Sequence, residues 1–428
     1  MSWGRRWLDP LRSRWLQHTA SRPQRPLRGP LVVQLRLDDP YSNLAVQLLP
    51  QLAGLMDPVW WPIQLEIYTE APQDFPGGLT ALDWQRYSVE DAHCLADQHH
   101  FDPPAQHHWP DPAHLAMAQQ ILQQTPLRDQ DFLRLLQNVF HMLWQGQAGK
   151  LRTVQQLARQ ARTLAGTTVP EGSLLACRWV AAPLLQARYV LAGRSYLAVD
   201  DFLRLTRRLH HQQALRGEPV FLIDHVEWRE HLVSDPVTLA DIQARQPRLK
   251  FWGALEDPLT WILLQYIQRE MAGHYNVLVE FLPLPHQQRD QFDWALLRRL
   301  SRRTGVDFAP FCRPDAAAVL LMARYLHGLD AAQRLGAALQ LLEQVWTRGR
   351  CMATPWALQQ GLALEGLPTL PEAASTAHWL AQHQQVVQAL KLPDLPVMQL
   401  EIGGRQWRFC GLYRVWRLEV LLAQAAEW

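Results

Sequence analysis

Two short stretches of this chain place carboxylates beside a hydroxyl where an apolar run meets a proline. They are "LRLDDPYSNLAVQLL", residues 35–49, and "GALEDPLTWILLQYI", residues 253–267. Leu37/Leu255, Asp38/Glu256, Asp39/Asp257, Pro40/Pro258, Ser42/Thr260 and Gln47/Gln265 correspond, with Asp39 and Asp257 lying 218 residues apart. Carboxylates so placed could serve as general bases, and the hydroxyls of Ser42 and Thr260 as hydrogen-bond donors. A structural role fits the same residues. Aspartate accepts the unpaired N–H groups of a first helical turn, and proline just inside a helix start loses no hydrogen bond. A carboxylate there also meets the positive end of the helix dipole, worth roughly 0.3–1 kcal/mol. Capping favours the anion, so Asp39 and Asp257 are expected to have lowered pKa values and to be poor bases near neutral pH.

The elements that would position these residues repeat in order. "LVVQLRL" reads as a strand, "SNLAVQLLPQLAGL" as a helix and "VWWPIQLEIY" as a second strand. Residues 81–170 are helical in composition. "AAPLLQARYVLAGRSYLAVDDFLRLTRRL" then reads as strand, short turn, strand and terminal helix. In the second half "RLKFWGAL", "LTWILLQYIQREMAG" and "NVLVEFLPL" follow as strand, helix and strand. A helical stretch over 290–390 and "DLPVMQLEIGGRQWRFCGLYRVWRLEVLLAQ" complete the series. "FHMLWQGQ" and "LEQVWTRG" mark the two helical middles. The pattern predicts an ancient duplication. Its parts are an arm and linker (1–30), a first domain (31–209), a connector (210–248) containing the apolar "PVFLID", and a second domain (249–428).

Bulk properties bound the function. A chain of 428 residues is too long for one ordinary core. Its 48% hydrophobic and 19% charged residues describe a globular chain. A net charge of +2 argues against a nucleic-acid partner. Five cysteines without a CxxC fit a reducing, cytoplasmic setting. No apolar run is long enough for a transmembrane helix. Trp3, Trp7, Leu11 and Trp15 recur every four residues among arginines, so the arm either packs on its own protein or lies on a membrane surface or partner.

The ordered motifs resemble the DsbA-like thioredoxin superfamily, in particular its branch of 2-hydroxychromene-2-carboxylate isomerases and kappa-class glutathione transferases. "DDPYSNLA" and "EDPLTWIL" are similar to that branch's Ser-Pro-Tyr-Ser, and the closing hairpins to its Val-Pro strand, hairpin and helix. The resemblance implies an α/β fold of two tandem thioredoxin-like domains, each with an inserted helical subdomain (about 81–170 and 290–390). It implies glutathione as cofactor and a small molecule as ligand. Pro183 and Pro396 would be cis-prolines, and the backbone of Ala182 and Leu395 would pair with the glutathione cysteine. Asp200 or Asp201 would hold its γ-glutamyl end, which makes the first half the better candidate for a retained site.

The chain departs from that family at the decisive position. The windows Asp39-Pro40-Tyr41-Ser42 and Asp257-Pro258-Leu259-Thr260 contain no cysteine, which excludes dithiol exchange there. Aspartate replaces the serine that donates to a glutathione thiolate, and an ionised carboxylate cannot donate. Ser42 and Thr260 are the hydroxyls that could substitute. Two expectations follow: a glutathione-linked isomerase or transferase, or a degenerate, non-catalytic relative that binds a small ligand or a protein partner.

Other signals are weaker. His93, His99, His100, His107, His108 and His114 lack a recognised metal-ligand spacing and read as a surface connection. Trp60, Trp61, Trp144, Trp252 and Trp346 occupy apolar positions and read as core, while an aromatic-lined pocket is the alternative for a chain with nineteen tryptophans.

Overall fold

The computed structural model describes residues 29–56, 63–99, 101–105, 108–124, 129–157, 175–212, 214–215, 236–287, 292–309 and 313–424. The tryptophan-rich arm, Trp60 and Trp61, and the stretch "PVFLID" lie outside them. The chain divides into two compact units, residues 1–224 and 225–428. Each is a mixed α/β unit compatible with a thioredoxin-like domain.

The first unit contains β1 (Leu31–Arg36), α1 (Pro40–Leu55), β2 (Ile63–Glu70), α2 (Ala81–His99), α3 (Pro112–Gln124) and α4 (Asp129–Trp144). These are followed by β3 (Leu175–Pro183), β4 (Arg188–Leu191), β5 (Arg194–Leu197) and α5 (Phe202–His211). Its sheet runs β3-β2-β1-β4-β5. β1 and β2 are parallel, as are β2 and β3, whereas β4 is antiparallel to β1 and to β5. Leu31, Val33 and Leu35 of β1 are buried with Leu65 and Ile67 of β2. Period two sends these residues to one face of the strand pair and the intervening ones to the other.

The second unit contains α6 (Pro236–Ala244), β6 (Arg248–Ala254), α7 (Pro258–Tyr266), β7 (Leu278–Leu284), α8 (Trp294–Thr304), α9 (Ala316–His327) and α10 (Ala331–Trp346). It continues with α11 (Pro355–Gly361), α12 (Ala373–Leu390), β8 (Val397–Ile402), β9 (Arg405–Cys410) and α13 (Trp416–Gln424). The sheet order is β7-β6-β8-β9. β6 and β7 are parallel; β8 is antiparallel to both β6 and β9. Leu249, Phe251, Phe281, Met398, Leu400 and Phe409 of these strands share one core with the helices, including Leu341, Leu342 and Trp346 of α10.

The two hairpins are built alike. Ala192-Gly193 and Gly403-Gly404 are two-residue loops with positive φ throughout, the geometry whose twist matches the flanking strands. The tryptophans expected to mark the helical middles are also equivalent. Trp144 Nε1 donates to Leu37 O at 3.2 Å and Trp346 Nε1 to Leu255 O at 3.4 Å. Their own carbonyls accept from Ala105 and Ala309, both at 2.7 Å. In each unit one buried indole ties the helical segment to the end of the first strand.

One expectation about the strands is corrected. Pro183 does not open the hairpin. It ends β3, an additional parallel strand paired with β2 through Glu70↔Pro183. "CRWVAAP" continues into "LLQARYVL" with little polar interruption, so a hairpin strand read from Ala181 starts seven residues before β4 begins at Arg188. Among the described residues no strand of the second unit's sheet occupies the corresponding place beside β7.

Candidate functional site

The two Asp-Pro junctions fall between β1 and α1 and between β6 and α7. In both, the aspartate is extended and caps the helix, with proline as the first helical residue. The expected structural role is therefore present in each unit.

At the first junction the cap is closed on all sides. Asp39 is 1% exposed and Ser42 is fully buried. Asp39 Oδ1 accepts from Tyr41 N–H at 3.3 Å. Its Oδ2 accepts from Ser42 N–H at 3.0 Å, Ser42 Oγ at 2.7 Å and Ala187 N–H at 2.8 Å. Ser42 Oγ in turn accepts from Arg36 N–H at 3.0 Å. Its one proton points to Asp39 and its oxygen is already an acceptor, so the hydroxyl is not available to a ligand. The Arg36 side chain bonds Asp38 and the carbonyl of Leu184, closing the same corner. Tyr41 reaches α2, its hydroxyl donating to buried Asp91 at 2.7 Å.

The electrostatic expectation is overturned here. Asp39 does not have a lowered pKa. Burial raises it to about 6, against the opposing pull of Arg36, Ser42 and Ala187. Desolvation of the anion outweighs the hydrogen bonds. Asp39 therefore titrates near the range of a useful base, and what disqualifies it is inaccessibility.

Ala187 went unread in the sequence, and the register explains its importance. Gln34 pairs with Arg188 in β4, and Trp252 pairs with Val397 in β8. Gln34 and Trp252 correspond at the same 218-residue spacing, so Ala187 and Pro396 occupy equivalent positions. Their carbonyls confirm it. Ala187 O accepts from Ala198 N–H at 3.1 Å and Pro396 O from Gly411 N–H at 2.9 Å, each from the residue after the hairpin. The expectation that Pro183 and Pro396 are both cis holds only for Pro396; among the described residues Leu395–Pro396 is the only cis bond. Where the first unit has a backbone N–H for Asp39, the second has a proline with no donor.

The second junction lacks that backbone donor. Asp257 Oδ1 accepts from Leu259 N–H at 2.9 Å. Thr260 is fully buried, yet its Oγ1 has no hydrogen-bond partner among the described residues, and neither has Glu256 Oε2. Glu256 Oε1 accepts from Gln287 N–H, and burial pushes its pKa up. Gly253 makes room for the threonine. A Cβ there would lie 2.6 Å from Thr260 Cγ2 and 2.8 Å from its Oγ1. The equivalent positions of the first unit hold Leu35 in place of the glycine and the smaller Ser42 in place of the threonine.

The remaining expected site residues are not all drawn to the junctions. Ala182 and Pro183 belong to β3. Asp201 ties the end of β5 to α5: it accepts from Leu197 N–H at 3.0 Å and pairs with Arg204 at 3.3 Å. Asp200 lies beside it in the same turn. Leu395 N–H donates to Asp394 Oδ1 at 2.8 Å. His108 bonds the Leu143 carbonyl at 2.8 Å, and no cluster suited to a metal occurs among the described residues. No described helix is long and apolar enough to cross a membrane.

No family model matches the chain, and no curated protein does. Solved structures similar to it include a 2-hydroxychromene-2-carboxylate isomerase (14% identity, TM-score 0.30, covering 41% of this chain and 95% of that one). A putative protein disulfide isomerase from Nitrosomonas europaea is 12% identical, with TM-score 0.34, covering 42% of this chain and 98% of that one. The cytosolic disulfide reductase DsbM from Pseudomonas aeruginosa, solved with GSH, is 16% identical, with TM-score 0.31, covering 41% and 98%.

Proposed function

We propose that this chain is a tandem duplication of a thioredoxin-like, DsbA-type domain whose junctions have become structural, making it a non-catalytic binding protein of the cytoplasm. The observation that carries this reading is the buried Ser42 hydroxyl, engaged at once by Arg36 N–H and Asp39. With aspartate in place of the family's cysteine or serine, the first unit has no thiol and no disengaged hydroxyl at the position where its relatives would do chemistry. Incubating the full chain with glutathione and an activated aryl halide tests this. Conjugation should not exceed the buffer rate, and turnover that disappears in Ser42→Ala would contradict the reading.

A second reading, a glutathione-linked isomerase or transferase acting on a small molecule, is favoured by one observation in the second unit. Thr260 Oγ1 is buried without a partner among the described residues, and a buried hydroxyl left unpaired costs about 1–3 kcal/mol. A ligand atom could satisfy it only where the junction opens, since Thr260 is as buried as Asp39. On this reading the active residues are Asp257 and Thr260, flanked by Leu395 and Pro396, rather than Asp39 with Asp200 or Asp201. Turnover abolished by Thr260→Val but unaffected by Ser42→Ala would select it.

A further inference from the structure

The second unit carries a cluster that neither reading uses. Trp379 of α12 stacks on His327 of α9, with ring centroids 4.7 Å apart and planes 10° from parallel. His383, one turn further along α12, meets the same indole edge-on at 4.6 Å. The guanidinium of Arg334, from α10, lies over the Trp379 ring at 5.2 Å. One indole is thus shared by an arginine and two histidines from three helices.

Each histidine also holds α12 in place. His327 Nδ1 lies 3.1 Å from Thr376 Oγ1, and Thr376 is fully buried in the first turn of α12. His383 Nδ1 lies 2.8 Å from the carbonyl of Pro283 in β7, so it donates there and leaves Nε2 as the position a second proton would take. Arg324 of α9 donates to the Pro371 carbonyl just before the helix at 2.7 Å, and Gln384 accepts from Gln287 Nε2 at 3.3 Å. Gln287 is the residue whose N–H is bound by Glu256 at the second junction. Past its C-terminus, α12 leads within a few residues to Pro396. The helix therefore connects the cluster to both sides of that junction.

We propose that the Arg334–Trp379–His327–His383 cluster is an acid-sensitive latch that holds α12 on the sheet of the second unit. With both histidines neutral, Arg334 is the one cation the cluster holds on the indole. Protonating them places up to three cations around one ring, and from β7 only Glu280 opposes them. Arg324 adds positive charge at the far end of α9. Burial and the neighbouring Arg334 accordingly lower the pKa of both histidines. Depressed histidines stabilise the fold above the unfolded-state value near 6.5, and that stabilisation is lost as pH falls below it. α12 loosens in acid and takes the Gln287 contact with it.

Hydrogen exchange of the full chain tests this, with rates corrected for the intrinsic pH dependence of exchange. Between pH 7.5 and pH 5.5, residues 373–390 should exchange roughly tenfold faster, while α9 and β6 remain protected. His327→Gln with His383→Gln should remove the difference, since glutamine can donate to Pro283 O without titrating. Unchanged protection of α12 across this range, or an acid response that survives the double substitution, would overturn the proposal. If the double variant does not fold, the wild-type comparison still decides it, together with NMR titration of the two imidazoles. Values at or above 6.5 would refute the latch.

Discussion

Asp39 shows how one residue can satisfy a local rule and still behave against it. Its carboxylate caps α1, as its place before a proline implies, but it also receives Ala187 from a loop 148 residues away in sequence. Complete burial then raises its pKa from 3.8 to about 6. The sign of the pH effect follows. The folded state holds this proton more tightly than the unfolded chain, so the contribution to stability is fully present below about pH 4 and lost as pH rises through 6. The shift corresponds to about 3 kcal/mol. Asp39→Asn removes the titration. Urea unfolding of both proteins from pH 4 to 7 should show wild-type stability falling relative to the variant by a quantity of that order. A difference that grows in favour of wild type as pH rises would show that the hydrogen bonds outweigh burial. A second expectation concerns Ala187 itself. Ala187→Pro deletes the donor to a buried carboxylate and should cost about 1.5–3 kcal/mol, read as a lower urea midpoint.

Among the elements, the Asp-Pro helix starts, the Gly-containing two-residue hairpins and the helical middles were legible from sequence. Each is specified by neighbours a few residues apart. β3 and the Ala187 position were not. β3 is defined by its parallel partner β2, more than a hundred residues earlier, and Ala187 by its distance from a ladder pair. A proline near a hairpin is visible in the sequence; a backbone N–H standing where the other unit has a proline is not. The Trp144 and Trp346 markers were legible as core but not as anchors. Their indole N–H groups hold the carbonyls of Leu37 and Leu255. Trp144→Phe and Trp346→Phe retain most of the apolar volume and remove those donors. Each should lower stability by about 1–3 kcal/mol in a denaturant titration. A cost in one unit only would mean that the two indoles are not equivalent.

For the molecule as a whole, two units share strand order in their central part, helix starts, hairpins and tryptophan anchors, and differ in how the junction is finished. The first ties Asp39 to Ser42 and Ala187; the second substitutes a proline for a donor, and its buried Thr260 hydroxyl has no partner among the described residues. That difference could not be read from the aligned motifs, because Ser42 and Thr260 are chemically alike in sequence. It accompanies Ala187 against Pro396, where a backbone donor is exchanged for a proline, and Leu35 against Gly253 at equivalent positions. The central claim is that these junctions are helix caps and not thiol-chemistry centres. Calorimetric titration of glutathione into the intact chain, up to millimolar concentration, tests it most directly. The account predicts no saturable heat. Saturable binding that is lost in Ser42→Ala or in Thr260→Val would contradict it and would identify the unit that retains a site.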